Sequence, residues 1–121
     1  MFDEYDEEDE EIRGKLKEIV SRILKLLSEK NYIELEKQSK GIRLSAADME
    51  EAIKEYDCQL VMPPLDAYEL MDVVKIKGGD SWYVVMPLWS QDEGRSDLSI
   101  ELTIVKESDN FIFEIENIHV L

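Results

Sequence analysis

The apolar residues of this chain change their spacing once, and this change points to helices followed by a sheet. Between residues 12 and 27 they recur every three or four positions, as on one face of an α-helix. From residue 70 onward they recur at every second position, which is the period of a β-strand. We therefore predict an α+β domain in which N-terminal helices pack on a curved, four-stranded antiparallel sheet.

Two shorter helices are predicted between the first helix and the sheet. Residues 32–38 have apolar contacts for a short second helix. Ser45 is followed three positions later by Asp48, which is the spacing of a capping box, and this predicts a third helix over 46–56. Pro63 and the proline after it end any regular element there.

Alternating apolar residues predict the strands. In the last strand the apolar residues change faces between Ile115 and Ile118, so we predict a bulge near Glu116. Pro87 cannot donate a hydrogen bond to a neighbouring strand, which predicts a sheet edge or a bulge at that position. The strands are predicted within residues 70–77, 82–89, 98–104 and 111–121.

The charge of the chain is strongly negative and unevenly distributed. The net charge is −15, from 14 Lys and Arg against 29 Asp and Glu. Residues 1–11 hold eight acids and no base, and we predict that they form a solvated, mobile tail ahead of a single domain over 12–121. Alternative roles for the tail are extension of the first helix, attraction of a basic partner and docking on the first helix. Residues 12–43 carry +5, whereas residues 44–121 carry −12.

Composition also removes several functional classes. Direct nucleic-acid binding is not expected, because phosphate contacts need Lys and Arg. No apolar run approaches the length of a membrane span and the acidic N-terminus is unlike a targeting peptide, so we predict a cytoplasmic protein without membrane association. With one cysteine, one histidine and no phosphate-binding or catalytic motif, we expect no metal, no cofactor and no enzymatic activity.

The strand predicted at 82–89 is apolar on both faces, although a sheet with one face in water should alternate. Three explanations remain open: a cover supplied by the chain itself, a partner or dimer surface, or a small-molecule pocket. The candidate partner-binding residues are Tyr83, Val85, Trp89, Asp92, Glu93, Arg95, Asp97, Glu101 and Glu114. The candidate pocket residues are Tyr56, Tyr68, Trp82, Trp89 and His119, with Arg95 at the rim.

Three polar residues have a structural and a functional interpretation. Arg95 is expected to hold the hairpin loop 90–97 through an ion pair with Asp97 or Asp92, or else to stand at the mouth of a site. His119 is expected to be structural, or a general base if Asp72 or Glu101 faces it across the sheet. No neighbouring base suggests a lowered pKa for Cys58, so we expect an inert, partly buried thiol.

The C-terminal half resembles a family of small bacterial domains of unknown function, and the family offers no activity that could be transferred to this chain. The resemblance covers about residues 60–121 and is carried by Met86-Pro-Leu-Trp89, Glu93-Gly-Arg-Ser-Asp-Leu98, Glu101-Leu-Thr-Ile104 and Ile118-His-Val-Leu121. The order of elements resembles the nuclear-transport-factor-like (SnoaL-like, cystatin-like) cone, which implies a strongly curved sheet. That fold hosts isomerases, dehydratases, dimeric adaptors and immunity proteins, so it does not select a function.

The first functional hypothesis is a non-enzymatic acidic binding protein, such as an inhibitor or immunity protein that masks a basic partner like a nuclease toxin. Acidic surfaces accelerate association with basic partners, and aromatic residues supply the desolvated centre of an interface. One alternative is a small-molecule-binding or isomerase- or dehydratase-like protein with a pocket between helices and sheet. The other is a homodimeric module in which the face of Tyr83, Val85 and Trp89 pairs with its own copy.

Overall fold

The computed structural model describes residues 7–40 and 43–121, with side chains from residue 10 onward. The α-helices precede the sheet and a short 3-10 helix follows its first strand, which confirms the predicted α+β arrangement. The helices are α1 (Glu7–Ser28), α2 (Tyr32–Gln38), α3 (Ala46–Tyr56) and a short 3-10 helix (Leu65–Leu70). The strands are β1 (Leu60–Val61), β2 (Asp72–Lys75), β3 (Ser81–Ser90), β4 (Gly94–Glu107) and β5 (Asn110–Val120).

Helix α1 begins at Glu7, five residues before the predicted start at residue 12. Acidic side chains are favourable in the first turn of a helix, where they face the positive end of the helix dipole, so the end of the acidic segment is compatible with helix. Residues 1–6 of the predicted tail lie outside the described residues. The apolar stripe of α1 is buried, with Leu16 and Val20 fully inaccessible.

Gly14 is an exposed glycine inside α1 and gives a direct test of the helix assignment. A Cβ at this position would have no neighbouring atom within 4 Å. We expect Gly14→Ala to raise the free energy of unfolding by about 0.8 kcal/mol, because alanine loses less backbone entropy in a helix. Urea unfolding followed by circular dichroism would measure the change, and a destabilised variant would contradict it.

The predicted capping box at the start of α3 is confirmed. The Ser45 hydroxyl accepts the Asp48 N–H at 3.1 Å, and the Asp48 carboxylate accepts the Ser45 N–H at 3.1 Å. Glu36 of α2 accepts the Ala46 N–H at 2.6 Å. These contacts satisfy free amides of the first turn and tie α3 to α2.

The sheet is antiparallel, and β3 and β4 form its centre. β4 pairs with β5 on one side of β3. On the other side, β2 pairs with residues 82–85 of β3 and β1 with residues 89–90. Pro87 falls between these two pairings and beside a register shift with β4, which confirms the edge or bulge predicted there.

The predicted bulge in the last strand is also confirmed. The β4–β5 register changes between the pairs Glu101–Asn117 and Leu102–Ile115, so that Glu116 is an extra residue on β5. This insertion lets Ile115 and Ile118 share one face, where they are 0% and 3% exposed.

One face of the sheet packs on the helices and forms the core. From β3 and β4 it contributes side chains of which none is more than 6% exposed: Trp82, Val84, Met86, Leu88, Leu98, Ile100, Leu102 and Ile104. We call the opposite face of the sheet the outer face. Among the described residues, no helix is both long enough and apolar enough to cross a bilayer.

Candidate functional site

The outer face of β3 is apolar along its length. Tyr83, Val85, Pro87 and Trp89 alternate with the core residues of the strand, which places them on the outer face, and Trp89 also packs against the core cluster. Tyr83, Val85 and Trp89 are half-buried, whereas Pro87 is buried between its neighbours. The sequence of β3 is apolar on both faces because one face packs in the core and the other is partly accessible.

Two residues on the flanking strands extend this apolar surface. Val74 of β2 lies opposite Tyr83 and is 60% exposed, and Val61 of β1 lies opposite Trp89 and is 36% exposed. From Tyr83 to Trp89 the strand rises about 20 Å at 3.3 Å per residue. We define the apolar row as Val61, Val74, Tyr83, Val85, Pro87 and Trp89.

Carboxylates stand on both sides of the apolar row. Asp72 of β2 and Glu101 of β4 both lie opposite Val85, one on each side. Asp97 lies on β4 between the levels of Trp89 and Pro87, where two extra residues enter the register. Asp72 and Asp97 are exposed, whereas Glu101 is half-buried.

Some outer-face carboxylates already have a basic partner within the chain. Glu101 contacts His119 Nε2 across the β4–β5 pair. Arg43 lies with its Nε 3.6 Å from Glu114 and 3.2 Å from Glu116. By contrast, within residues 10–40 and 43–121, neither Asp72 nor Asp97 has a cationic group within 4 Å. These two charges therefore remain available to a partner.

Arg95 does not form the ion pair that one of its two interpretations required. It lies opposite Trp89 and is exposed, and no ion pair joins it to Asp92 or Asp97 among the described side chains. The loop is also shorter than 90–97, because Ser90 pairs with Gly94 and β4 starts there. Gly94, the first residue after the three-residue loop 91–93, has a φ of +73°, a conformation that glycine adopts without strain.

Tyr56 at the end of α3, rather than Arg95, holds this hairpin. Its hydroxyl donates to Glu93 at 3.0 Å and accepts the Asp97 N–H at 2.9 Å. The Asp97 N–H favours the phenolate, but burial and the nearby carboxylates outweigh it and raise the pKa of Tyr56. The phenol therefore stays protonated at neutral pH and can keep donating to Glu93.

Cys58 is a half-buried free thiol beside the same hairpin. Burial raises its pKa, and the carboxylates of Glu93, Asp57 and Asp92 raise it further. A higher pKa means less thiolate, so we expect alkylation by iodoacetamide at about pH 8 to be several-fold slower than in the urea-unfolded chain. Mass spectrometry of quenched samples would measure both rates, and equal rates would contradict the prediction.

The candidate pocket residues do not converge on one cavity. Trp82 lies on the core face, 6.1 Å from Phe111 between ring centroids, whereas His119 lies on the outer face. Tyr56 belongs to the hairpin contact described above. Tyr68 is buried beneath α1, with the Lys17 ammonium 5.4 Å from its ring centroid. Its hydroxyl has no hydrogen-bond partner among the described residues.

The cavities next to α1 lie on the helical side of the molecule. One of about 570 Å³ lies between α1 and the 3-10 helix and includes Gly14 and Tyr68 in its wall. Another of about 530 Å³ lies between α1 and the β4–β5 turn. Both walls mix acidic and basic side chains. Within the described part of the chain, no group of three potential metal ligands is found.

His119 is the one imidazole of the chain, and Glu101 does face it as the functional interpretation required. Ser99 lies opposite His119 in the β4–β5 register. No hydrogen bond joins its hydroxyl to the imidazole within the described residues, and Ser99 is only 6% exposed. Among the described residues, the Glu101–His119 pair is therefore not joined to the Ser99 hydroxyl.

Sequence reasoning missed the contributions of Val61, Asp72 and Val74 to the outer face. The alternation in 70–77 places Asp72 and Val74 on one face of their strand, but it does not identify the strand beside them. The pairing with β3 brings both residues next to Tyr83 and Val85. Val61 belongs to a strand of two residues, which is too short to carry a periodic pattern.

Comparison with known proteins places most of the chain in one family. A family model described as "Domain of unknown function (DUF7668)" matches residues 24–121. This match confirms the resemblance to a domain of unknown function and extends it to α2, α3 and the last five residues of α1. No curated protein and no solved structure matches the chain.

Proposed function

This chain belongs to the DUF7668 family, and we propose that it is a non-enzymatic binding protein that masks a basic protein partner. An inhibitor or immunity protein acting on a nuclease toxin is the concrete form of this function. The observation that carries the proposal is the apolar row, which is partly accessible and bordered by Asp72 and Asp97, two exposed carboxylates with no cationic neighbour among the described side chains. Apolar surface ringed by polar groups is typical of a protein-interaction site.

The charge of the outer face favours a basic partner over a second copy of the chain. Self-pairing of the apolar row would bring Asp72 and Asp97 of two copies together, in a protein of net charge −15. Like charges across an interface oppose association, whereas a basic partner would gain attraction from the same groups. We therefore expect a monomer by sedimentation, and a stable dimer that depends on Tyr83 and Trp89 would contradict this.

The edge of the sheet at β5 is less suited to a partner than the outer face. The Ile115 N–H donates to Ser39 Oγ at 3.3 Å, and the Ile118 N–H donates to Asn117 Oδ1 at 2.9 Å. The Lys40 N–H donates to the Phe113 carbonyl at 2.7 Å. Since these contacts use backbone groups of β5 that an added strand would need, the outer face is the better docking surface.

Affinity capture from the native host, followed by reconstitution, tests the proposal. We expect the wild-type chain to retain a protein of high isoelectric point that about 0.5 M salt releases, because salt screens exposed charges. The variant Tyr83→Thr/Trp89→Ala should lose this protein. Ile33→Ser is the matched control, because Ile33 is 68% exposed on α2, away from the outer face.

The purified partner then decides the outcome. Equimolar wild-type chain should form a complex with it and suppress its activity, and Ile33→Ser should do the same. If the double variant binds as tightly as the wild type while remaining folded by circular dichroism, the outer face is not the docking surface. If no basic protein forms a complex on reconstitution, the proposed function is wrong.

A further inference from the structure

The apolar row is narrow, and its width limits what can lie on it. Its centre follows β3, Val61 and Val74 extend it onto the strands to one side, and the carboxylates of Asp72 on β2 and Asp97 on β4 border it. Neighbouring strands are about 4.8 Å apart, so the strands carrying these two carboxylates are separated by about 10 Å. This distance is close to the diameter of an α-helix with its side chains.

The length of the row is also suited to a short helix. The row spans about 20 Å from Tyr83 to Trp89. At 1.5 Å per residue, a helix of about 13 residues has the same length. Such a helix would cover Val85 and Pro87 with its apolar stripe.

The unpaired charges then define what the flanks of that helix must carry. Asp72 and Asp97 are exposed and lack a cationic neighbour among the described residues, whereas Arg43 already neutralises Glu114 and Glu116 in part. Cationic side chains on both flanks of a docked helix would meet Asp72 on one side and Asp97 on the other. Charge-assisted contacts of this kind steer association and fix orientation.

We propose that the partner docks through an amphipathic basic helix lying along β3, with its apolar stripe on the apolar row and its cationic flanks on Asp72 and Asp97. This inference rests on the function proposed above and names the recognition element of the same site. It also assigns Arg95 a repulsive role, because Arg95 lies beside Trp89 at one end of the row and would face the cationic flank.

A synthetic peptide tests this recognition mode separately from the natural partner. The probe is a peptide of about 18 residues, with Leu every third or fourth position and Arg on both flanks of that stripe. Its control has the same composition in scrambled order. Amide shifts of the isotope-labelled chain locate the binding, and the emission of the half-buried Trp89 measures its affinity.

The variants divide the carboxylates of the outer face into two groups. We expect Asp72→Asn and Asp97→Asn each to weaken binding about two- to five-fold at low salt, as for exposed ion pairs. Glu114→Gln and Glu116→Gln are the matched controls and should change it less than about two-fold, because Arg43 screens these groups. Arg95→Gln should strengthen binding, since it removes a like charge.

Each other outcome overturns the inference. If the scrambled peptide binds equally well, a helix is not the recognition element. If the Glu114 and Glu116 variants weaken binding and the Asp72 and Asp97 variants do not, the charge assignment is wrong. If the amphipathic peptide does not shift β3, the docking mode is wrong. The proposed function is tested separately, by reconstitution with the natural partner. A failure of the docking mode can therefore be distinguished from a failure of the function.

Discussion

Replacing Leu102 with alanine is expected to lower the free energy of unfolding by about 3 kcal/mol, because the change leaves a cavity in a close-packed core. Leu102 is fully buried on the core face of β4, next to the register shift that introduces the β5 bulge. Its neighbours on β3 and β5 are Val84 and Ile115, which are also fully buried. Because β4 is held between β3 and β5, the sheet cannot collapse to fill the cavity. We therefore expect little of the lost free energy of unfolding to be recovered.

Val105→Ala on the same strand is the matched control. By the alternation of β4, Val105 lies on the outer face, and it is half-buried. We therefore expect the free energy of unfolding to fall by less than about 1 kcal/mol. Urea denaturation of both variants measures the difference between the two faces of one strand. Equal losses, or a larger loss at Val105, would show that the faces of β4 are assigned the wrong way round.

Replacing Trp89 with alanine is expected to weaken the complex with the natural partner by at least about 30-fold, equivalent to about 2 kcal/mol. Large aromatic side chains often contribute more binding energy to an interface than their neighbours, because they desolvate a large apolar area with few rotatable bonds. Trp89 is the largest side chain of the apolar row and has Val61 beside it on β1.

The loss of affinity must be separated from a loss of stability, because Trp89 is half-buried. Tyr83→Thr changes the other end of the apolar row and keeps a residue that suits a strand. Ile33→Ser on α2 removes an exposed apolar side chain elsewhere and should leave affinity unchanged. Isothermal calorimetry on folded variants gives the three affinities. An unchanged affinity for both outer-face variants would remove the apolar row from the interface.

Local patterns predicted the helices and the bulge because the physics that sets them is local. The bounds 32–38 and 46–56 agree with α2 and α3, and the capping box forms between residues three apart. The bulge at Glu116 follows from a change in the parity of apolar residues within one strand. Packing of the apolar residues on one core face then stabilises both the helices and the bulge.

Contacts between distant residues were not predictable from the same patterns. Tyr56 reaches the hairpin through Glu93 and Asp97, 37 and 41 positions away. Arg43, in the segment before α3, partly neutralises Glu114 and Glu116. Charge counting therefore treats all acids of residues 44–121 alike, whereas the fold pairs some of them and leaves others free.

The pairing of β1 and β2 with β3 was the part of the candidate site that the sequence pattern could not predict. The alternation in β2 places Asp72 and Val74 on one face, but only the register with β3 puts them beside Val85 and Tyr83. Likewise, β1 has two residues and no pattern of its own, so its place next to Trp89 depends on the tertiary fold. The aromatic residues of the site were therefore predictable, whereas the residues of β1 and β2 that border them were not.

Backbone hydrogen exchange of the chain, alone and in complex with its natural partner, tests the docking surface most directly. We expect the partner to slow exchange in β2 and in the β3–β4 hairpin from Ser81 to Asp97, and to leave α2 and α3 unchanged. Protection confined to α1, α2 and α3, with the sheet exchanging as in the free chain, would contradict the account.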